Sequence, residues 1–187
     1  MMNKIFRFDD VSINSDIAAT NAMASFLIDK FPYCKIIFGI SSMVHNIDEE
    51  KEKERVFPKI LNAYSDFRKF YEVDAVGIPD VISHKNIVLA THGLIHVDHR
   101  LLTKEAQEIS IIVSQSLVKS KIFIPPFNHW NNDTDTICKE HGIQLIKFEE
   151  GWKSLEHNKY QHNEKHNLWY LHARAFTIET FKSWFEL

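Results

Sequence analysis

The feature that most limits the fold of this chain is the alternation of short apolar runs with segments of helical spacing. Runs of strand length stand at 4–8 ("KIFRF"), 34–40 ("CKIIFGI"), 86–93 ("NIVLATHG"), 121–126 ("KIFIPP"), 143–149 ("IQLIKFE") and 168–174 ("LWYLHAR"). Between and after them lie helical patterns: 16–31, with Ser15 as N-cap and Pro32 as the stop, then 58–72, Thr103–Val118, 133–142 closed by Gly142, and 177–187. Strands that alternate with helices pair mostly in parallel, because each helix carries the chain back to the same end of the sheet. Helices returning on one side would curl that sheet toward a barrel. The run at 34–40 is apolar without alternation, as expected of a strand buried on both faces. The charged stretch from Asp48 reads as a solvated connection, and the polar stretch 153–167 as an inserted loop.

Composition narrows the function. The formal charge is -3, with acids and bases mixed along the 187 residues and no basic stripe for nucleic acid or an anionic membrane. The expected partner is a small or neutral molecule. Cys34 and Cys138 lie far apart and form no CxxC pair, as in a reducing compartment. No stretch approaches the ~20 apolar residues of a membrane span, and "MMNKIFRFDD" lacks an apolar core with a cleavage site. A soluble, cytoplasmic protein is the expectation.

In parallel α/β folds, ligands bind at the carboxyl ends of the strands, where loops carry the chemistry and strands hold it rigid. The first run ends in Asp9 and Asp10, with no lysine or arginine following them. Side chains alternate along a strand, so burial of Ile5, Phe6 and Phe8 puts the two acids where the strand passes into a loop. A turn or an N-cap before Ser12–Ser15 would also use them. The third run passes into "THGLIH", the fourth into "PPFNHW", and the sixth ends in His172 and Arg174. The i, i+4 spacing of His92 and His96 puts two imidazoles on one face of a helical turn, suited to one metal ion. Among eleven histidines, His162 and His166 repeat that spacing. The first pair directly follows an apolar strand and the second lies in a polar stretch, so the first is the candidate. Two imidazoles and one carboxylate, Asp10, leave open positions on a zinc-like divalent ion for water and a substrate oxygen. Asp9 then stands as general base. His99 and His129 lie near this set and read as structural or solvated.

Taken in order, "FDD", "HGLIH", "IPPFNHW" and "YLHAR" resemble the metal-dependent polysaccharide deacetylase family, the chitooligosaccharide and peptidoglycan deacetylases. The likeness runs from Phe8 to His172. It implies a distorted, incomplete (β/α) barrel of about six to seven parallel strands, a single domain over 1–187, a divalent metal, commonly zinc, and removal of an N-acetyl group from an amino sugar. In that frame Asp9 is the base, Asp10, His92 and His96 are the ligands, and His172 is the acid that protonates the departing amine. A backbone N–H near Phe127 would share the oxyanion's charge. Trp130 would offer a stacking face, with Asn128 and Arg174 completing the substrate-binding set.

The chain departs from the family at three places. Gly93 follows the first histidine where the family usually has Ser or Thr. Ile124 precedes Pro125 and Pro126 where the family has an arginine that orients the base, so Arg7 and Arg174 are the candidate replacements. "FEEGW", with Glu149, Glu150 and Trp152, stands where the family has an aspartate and tryptophan motif. The absence of an export signal points to a lipid- or nucleotide-linked amino sugar of surface-polysaccharide (O-antigen or capsule) biosynthesis as substrate. Two other readings stay open: a non-catalytic carbohydrate-binding member of the same fold, and a non-haem iron oxygenase using His96 and Asp98 in a two-histidine, one-carboxylate triad. Folds that carry that triad are mostly all-β, unlike the alternation seen here.

Overall fold

The computed structural model describes residues 4–45, 73–147, 153–155, 160–163, 167–172 and 177–185. The expected helix at 58–72 and the charged stretch from Asp48 lie outside the described residues, as do Glu149, Glu150, Trp152, His166 and Arg174. The chain runs β1 (Ile5–Val11), α1 (Ile17–Lys30), β2 (Lys35–Ile40), β3 (Met43–His45), β4 (Val73–Val76), β5 (Ile87–Thr91), α2 (Lys104–Val118) and β6 (Ile122–Phe123). It continues with α3 (Asn132–Glu140), β7 (Gln144–Leu145), β8 (Lys153–Leu155), β9 (Tyr160–Asn163), β10 (Leu168–His172) and α4 (Ile178–Phe185).

Eight strands form one sheet in the order β7-β6-β5-β2-β1-β10-β9-β8. Its six strands from β7 to β10 are parallel, with helices interleaved along the chain, which is the incomplete (β/α) barrel that the sequence leads one to expect. The stretch 153–167 is not simply a loop: it supplies β8 and β9, which extend the sheet antiparallel to β10. An edge strand leaves a row of backbone N–H and C=O groups to be satisfied, and a polar segment can pair with them without apolar side chains. β3 and β4 form a separate antiparallel pair. The fourth and fifth runs contribute only two residues each, because prolines end β6 and its length sets how much of β7 can pair.

Three buried apolar clusters lie among the described residues. Phe6, Phe8 and Phe38 of the sheet meet Phe26 and Phe31 from the α1 side and Phe181 and Phe185 of α4. Burying a phenylalanine side chain stabilises the fold by roughly 1.5–3 kcal/mol, so this cluster anchors β1, the strand that carries both acids. Toward the β6 and β7 edge of the sheet, Ile111 of α2, Phe123 of β6 and Ile137 of α3 form another cluster. Thr103 caps α2 as expected, accepting from the Ala106 N–H at 3.2 Å. The cap of α1 is Asp16 rather than Ser15. Ser15 is drawn back to the end of β1, where its hydroxyl accepts from the Ser12 N–H at 2.9 Å and donates to the Asp10 carbonyl at 3.2 Å. No helix among the described residues is long and apolar enough to cross a membrane.

Candidate active site

Strand β1 does not run out at the two acids. Phe8 pairs with Phe38 and Val11 with Ile40, so Asp9 and Asp10 together oppose the single residue Gly39. The extra residue is a β-bulge, and Asp10 takes a left-handed φ of 60° within it. Consecutive side chains of a regular strand face opposite ways; the bulge turns Asp10 back, so both carboxylates approach one imidazole. His92 Nε2 lies 3.3 Å from Asp10 Oδ1 and 3.8 Å from Asp9 Oδ2. Gly39 makes the room: a Cβ there would stand 2.9 Å from Asp9 Oδ1.

The two histidines also converge by a route other than the helical turn their spacing suggests. Residues 92–98 form a bent connection beyond β5, in which Gly93 has φ +80°. A Cβ on Gly93 would sit 2.7 Å from the Ile95 carbonyl and 3.2 Å from Pro126 Cγ, so this backbone has no place for the family's Ser or Thr. The bend is tied at three points, by His92 N–H to the Ile40 carbonyl (2.8 Å), Leu94 N–H to Ser110 Oγ (3.1 Å) and Val97 N–H to the Ile95 carbonyl (3.0 Å). The rings of His92 and His96 end 5.1 Å apart, centroid to centroid.

The resulting donor set suits a divalent cation. His92 Nε2 and His96 Nε2 stand 3.3 and 3.0 Å from the same oxygen, Asp10 Oδ1, and the three ligand atoms lie within 4.8 Å of one another. Ligands about 2.0–2.1 Å from a tetrahedral zinc are about 3.3 Å apart. His92 Nδ1 lies 2.9 Å from the Ile124 carbonyl, which can only accept, so Nδ1 carries the hydrogen. That backbone contact is the usual support for a ligating histidine, and it aims Nε2 at the carboxylate. A nitrogen lone pair facing a carboxylate oxygen at this distance is repulsive unless a proton or a metal ion lies between them. Burial opposes the charge on Asp10, yet His92 and His96 more than offset it and hold the carboxyl well below the usual range. Burial likewise pushes the His92 imidazole down, but Asp9 and Asp10 outweigh it and raise the group above its ordinary value.

The second carboxylate has its own partner. Arg7, only 1% exposed, donates from Nε to Asp9 Oδ1 at 2.9 Å and from Nη2 to Asp9 Oδ2. The counter-charge for Asp9 therefore comes from two residues ahead of it on β1 itself, where period-two alternation puts both side chains on one face. Its Nη2 also reaches Asn128 Oδ1 at 2.6 Å, and the guanidinium lies 4.8 Å over the Tyr170 ring. His172 stands beside Asp9 in the parallel register of β10, with Nε2 3.8 Å from Asp10 Oδ2 and 2.8 Å from Tyr170 Oη.

The other expected residues lie outside this donor set. Phe127 is 48% exposed, in a left-handed conformation (φ 56°), with its ring 4.2 Å from that of His96. Asn128 turns toward Arg7. Trp130 is half-buried, with Lys147 Nζ 4.3 Å over its ring. Asp98 caps the short turn His99–Leu101 and pairs with Arg100 (2.6 Å) and His129 (2.8 Å). It is thus engaged away from the cluster that fits a metal, which removes the carboxylate from the His96/Asp98 oxygenase arrangement. His99 is fully buried on Ser110 and the Val97 carbonyl, and burial pushes its pKa down to about 4. His162 stacks on Trp169 at 4.1 Å, on the antiparallel side of β10.

The sequence matches no protein-family model, and no curated protein matches it. Among solved structures, the chain is similar to a family 4 carbohydrate esterase from Streptomyces lividans in complex with acetate, at 11% identity and a TM-score of 0.46, over 82% of this chain and 64% of that one. It is similar to a mutant of the peptidoglycan deacetylase PdaC from Bacillus subtilis, at 12% identity and a TM-score of 0.45, over 82% of this chain and 60% of that one. A third similarity is to the Xyl-CE4 domain of a multidomain xylanase from the hindgut metagenome of Trinervitermes trinervoides, at 15% identity and a TM-score of 0.38, over 73% and 54% of the two chains. The chain thus spans between 54% and 64% of the length of these structures.

Proposed function

We propose that the protein is a metal-dependent hydrolase that removes an N-acetyl group from an amino sugar. The observation that carries this reading is the convergence of Asp10, His92 and His96 on one point, with a second carboxylate, Asp9, clamped by Arg7 beside the same imidazole. A bound divalent ion, zinc foremost, would supply Lewis acidity toward the amide carbonyl and an attacking water. Asp10, His92 and His96 are the residues that would hold it. Asp9 takes the proton of the attacking water, and Arg7 fixes the direction of both its oxygens. As the carbon–oxygen bond forms and the carbon–nitrogen bond breaks, His172 gives a proton to the departing amine. The backbone N–H of Phe127 meets the developing oxyanion, and Phe127 and Trp130 offer apolar faces to the sugar. The order of the four motifs along the sequence supports the same activity, and an N-acetyl sugar linked to a lipid or a nucleotide in surface-polysaccharide biosynthesis is the substrate class we assign.

The test starts from metal-free protein. Zinc titration should saturate at one site, and Asp10→Asn or His92→Ala should abolish it. Loaded protein should release acetate from at least one member of a panel comprising N-acetylglucosamine, chitooligosaccharides and a nucleotide-linked N-acetyl sugar. Asp9→Asn should keep the metal and lose turnover. Failure of the wild-type protein to take up any divalent ion would sink the proposal; metal uptake without acetate release would leave a carbohydrate-binding role in its place.

A further inference from the structure

A second group of polar side chains assembles from the connections that follow β5 and β6. These strands are neighbours in the sheet, with Thr91 opposite Phe123, and the same connections carry His92, His96 and Phe127. Asp98 accepts from the Arg100 backbone N–H at 3.0 Å. It also takes one edge of the Arg100 guanidinium, with Nε 3.0 Å from Oδ1 and Nη2 2.6 Å from Oδ2. From the other connection, His129 Nδ1 lies 2.8 Å from Asp98 Oδ2 and 2.7 Å from Arg100 Nη2, so it is engaged in either tautomer. Exposed ion pairs add little to stability; what this arrangement does is orient. Asp98 is its inner member, with a side chain 14% exposed, while Arg100 and His129 are 49% and 43% exposed. Of the five guanidinium hydrogens, the two on Nη1 have no partner among the described residues. His129 Nε2 has no hydrogen-bond partner there either, and where Nδ1 accepts from Arg100 it carries the hydrogen and adds a donor. A guanidinium pinned along one edge presents the other with little rotamer freedom left to lose, which suits it to a phosphate group.

Phe127 connects this cluster to His96: its ring lies 4.2 Å from that of His96 and 6.2 Å from that of His129. Its left-handed φ of 56° is costly for a bulky side chain, and such strain collects at sites that hold ligands. Phe127 and Leu101, the neighbour of Arg100, are two of the four large apolar side chains that stand exposed among the described residues. We infer that Arg100 and His129, set by Asp98, form a subsite for the phosphate of a glycosyl phosphate, next to the Asp10, His92 and His96 set, with the Phe127 ring against the sugar. The inference deepens the amino-sugar reading above and rests on it for the sugar that carries the phosphate. A glycosyl phosphate is supplied by a nucleotide or by a polyprenyl lipid, and the exposed Leu101 and Phe127 suit the base of the one or the chain of the other.

Glucosamine 1-phosphate and glucosamine are the probes, because neither has an acetyl group to lose and binding is read whatever the protein catalyses. In NMR titrations with zinc present, the phosphate should tighten binding about tenfold, the lower range for a hydrogen bond to a charged group, and should move the Arg100 Nε–H and His129 ring signals. Arg100→Gln should bring the ratio of the two dissociation constants close to one, and Arg100→Lys, which keeps the charge without the fork, should fall between. A phosphate held by zinc instead would bind Arg100→Gln as tightly as wild type and leave the Arg100 and His129 signals of wild type in place. Either result overturns the inference, and the second needs no variant to fold. Acetate release from uridine-diphosphate-linked and from farnesyl-diphosphate-linked N-acetylglucosamine distinguishes the two sources, the substrate being the one whose kcat/KM Arg100→Gln lowers about tenfold; release that this variant leaves unchanged for both overturns the inference as well. Wild-type protein that releases no acetate from any sugar refutes the deacetylase reading, and the glucosamine 1-phosphate titrations still decide the subsite.

Discussion

Replacing Arg7 with methionine tests the clamp on Asp9 most directly. Arg7 and Asp9 are 1% and 0% exposed, so the substitution leaves a carboxylate in the interior without its counter-charge. Breaking a buried ion pair from one side costs about 3–5 kcal/mol. Methionine nearly keeps the length and the apolar stem of arginine, so little of that figure comes from a cavity. Losing the cation over the Tyr170 ring and the donor to Asn128 adds on the order of 1 kcal/mol. Against a domain stability of about 5–15 kcal/mol, the variant should be severely weakened yet measurable. Adding Asp9→Asn removes the orphaned charge and should restore most of the loss, giving a coupling of about 2–3 kcal/mol in the double-mutant cycle. Urea unfolding of the four proteins, followed by circular dichroism and extrapolated linearly, supplies the energies. An Arg7→Met loss below about 1 kcal/mol, the range of solvent-exposed pairs, would refute the clamp, as would additivity within about 0.5 kcal/mol.

Three further outcomes follow from the same geometry. Gly39→Ala drives a Cβ to within 2.9 Å of an Asp9 oxygen that Arg7 holds in place, so it should cost about 1–3 kcal/mol and most of the turnover while zinc still binds; wild-type kcat in the variant would contradict the close approach. His92 must lose its proton to ligate an ion, and in the metal-free fold its pKa is raised above 6.5, so zinc affinity should fall as pH drops through the neutral range, with proton release on binding; calorimetry in buffers of different ionisation enthalpy reads this, and a flat profile between about pH 8 and about pH 5.5 would count against it. His99 takes up a proton near pH 6.5 when unfolded and near 4 when folded, so its contribution to stability is whole above about 6.5 and is lost as pH falls toward 4, at about 1.4 kcal/mol per pH unit and about 3 kcal/mol in all; His99→Gln should flatten that part of the acid-unfolding curve, and an unchanged slope would show that another group carries it.

Most elements could be read from the chain because their signals are local. The unbroken apolar run of β2, the Thr103 cap of α2 and the prolines that stop β6 each act within a few residues of where they stand. The polar stretch 153–167 was not readable as strands, since β8 and β9 pair through backbone atoms and owe their place to the open edge of β10. Gly93 looked like a departure from a motif; the contacts its Cβ would make show that the bend requires it.

The order of residues along the chain sets the inventory: two adjacent acids in an apolar strand, a histidine pair after another, and a histidine at the end of a third, in an α/β order that brings strand ends together. How they meet is a matter of strand pairing and packing. A strand's alternation would have sent Asp9 and Asp10 to opposite faces, and the register against Gly39 alone forced the bulge that puts both beside His92. Arg7 and Tyr170 acquired their partners the same way, because the pairing of β1 with β10 sets which side chains share a surface. Register is a property of two strands at once, so no single stretch of sequence can state it.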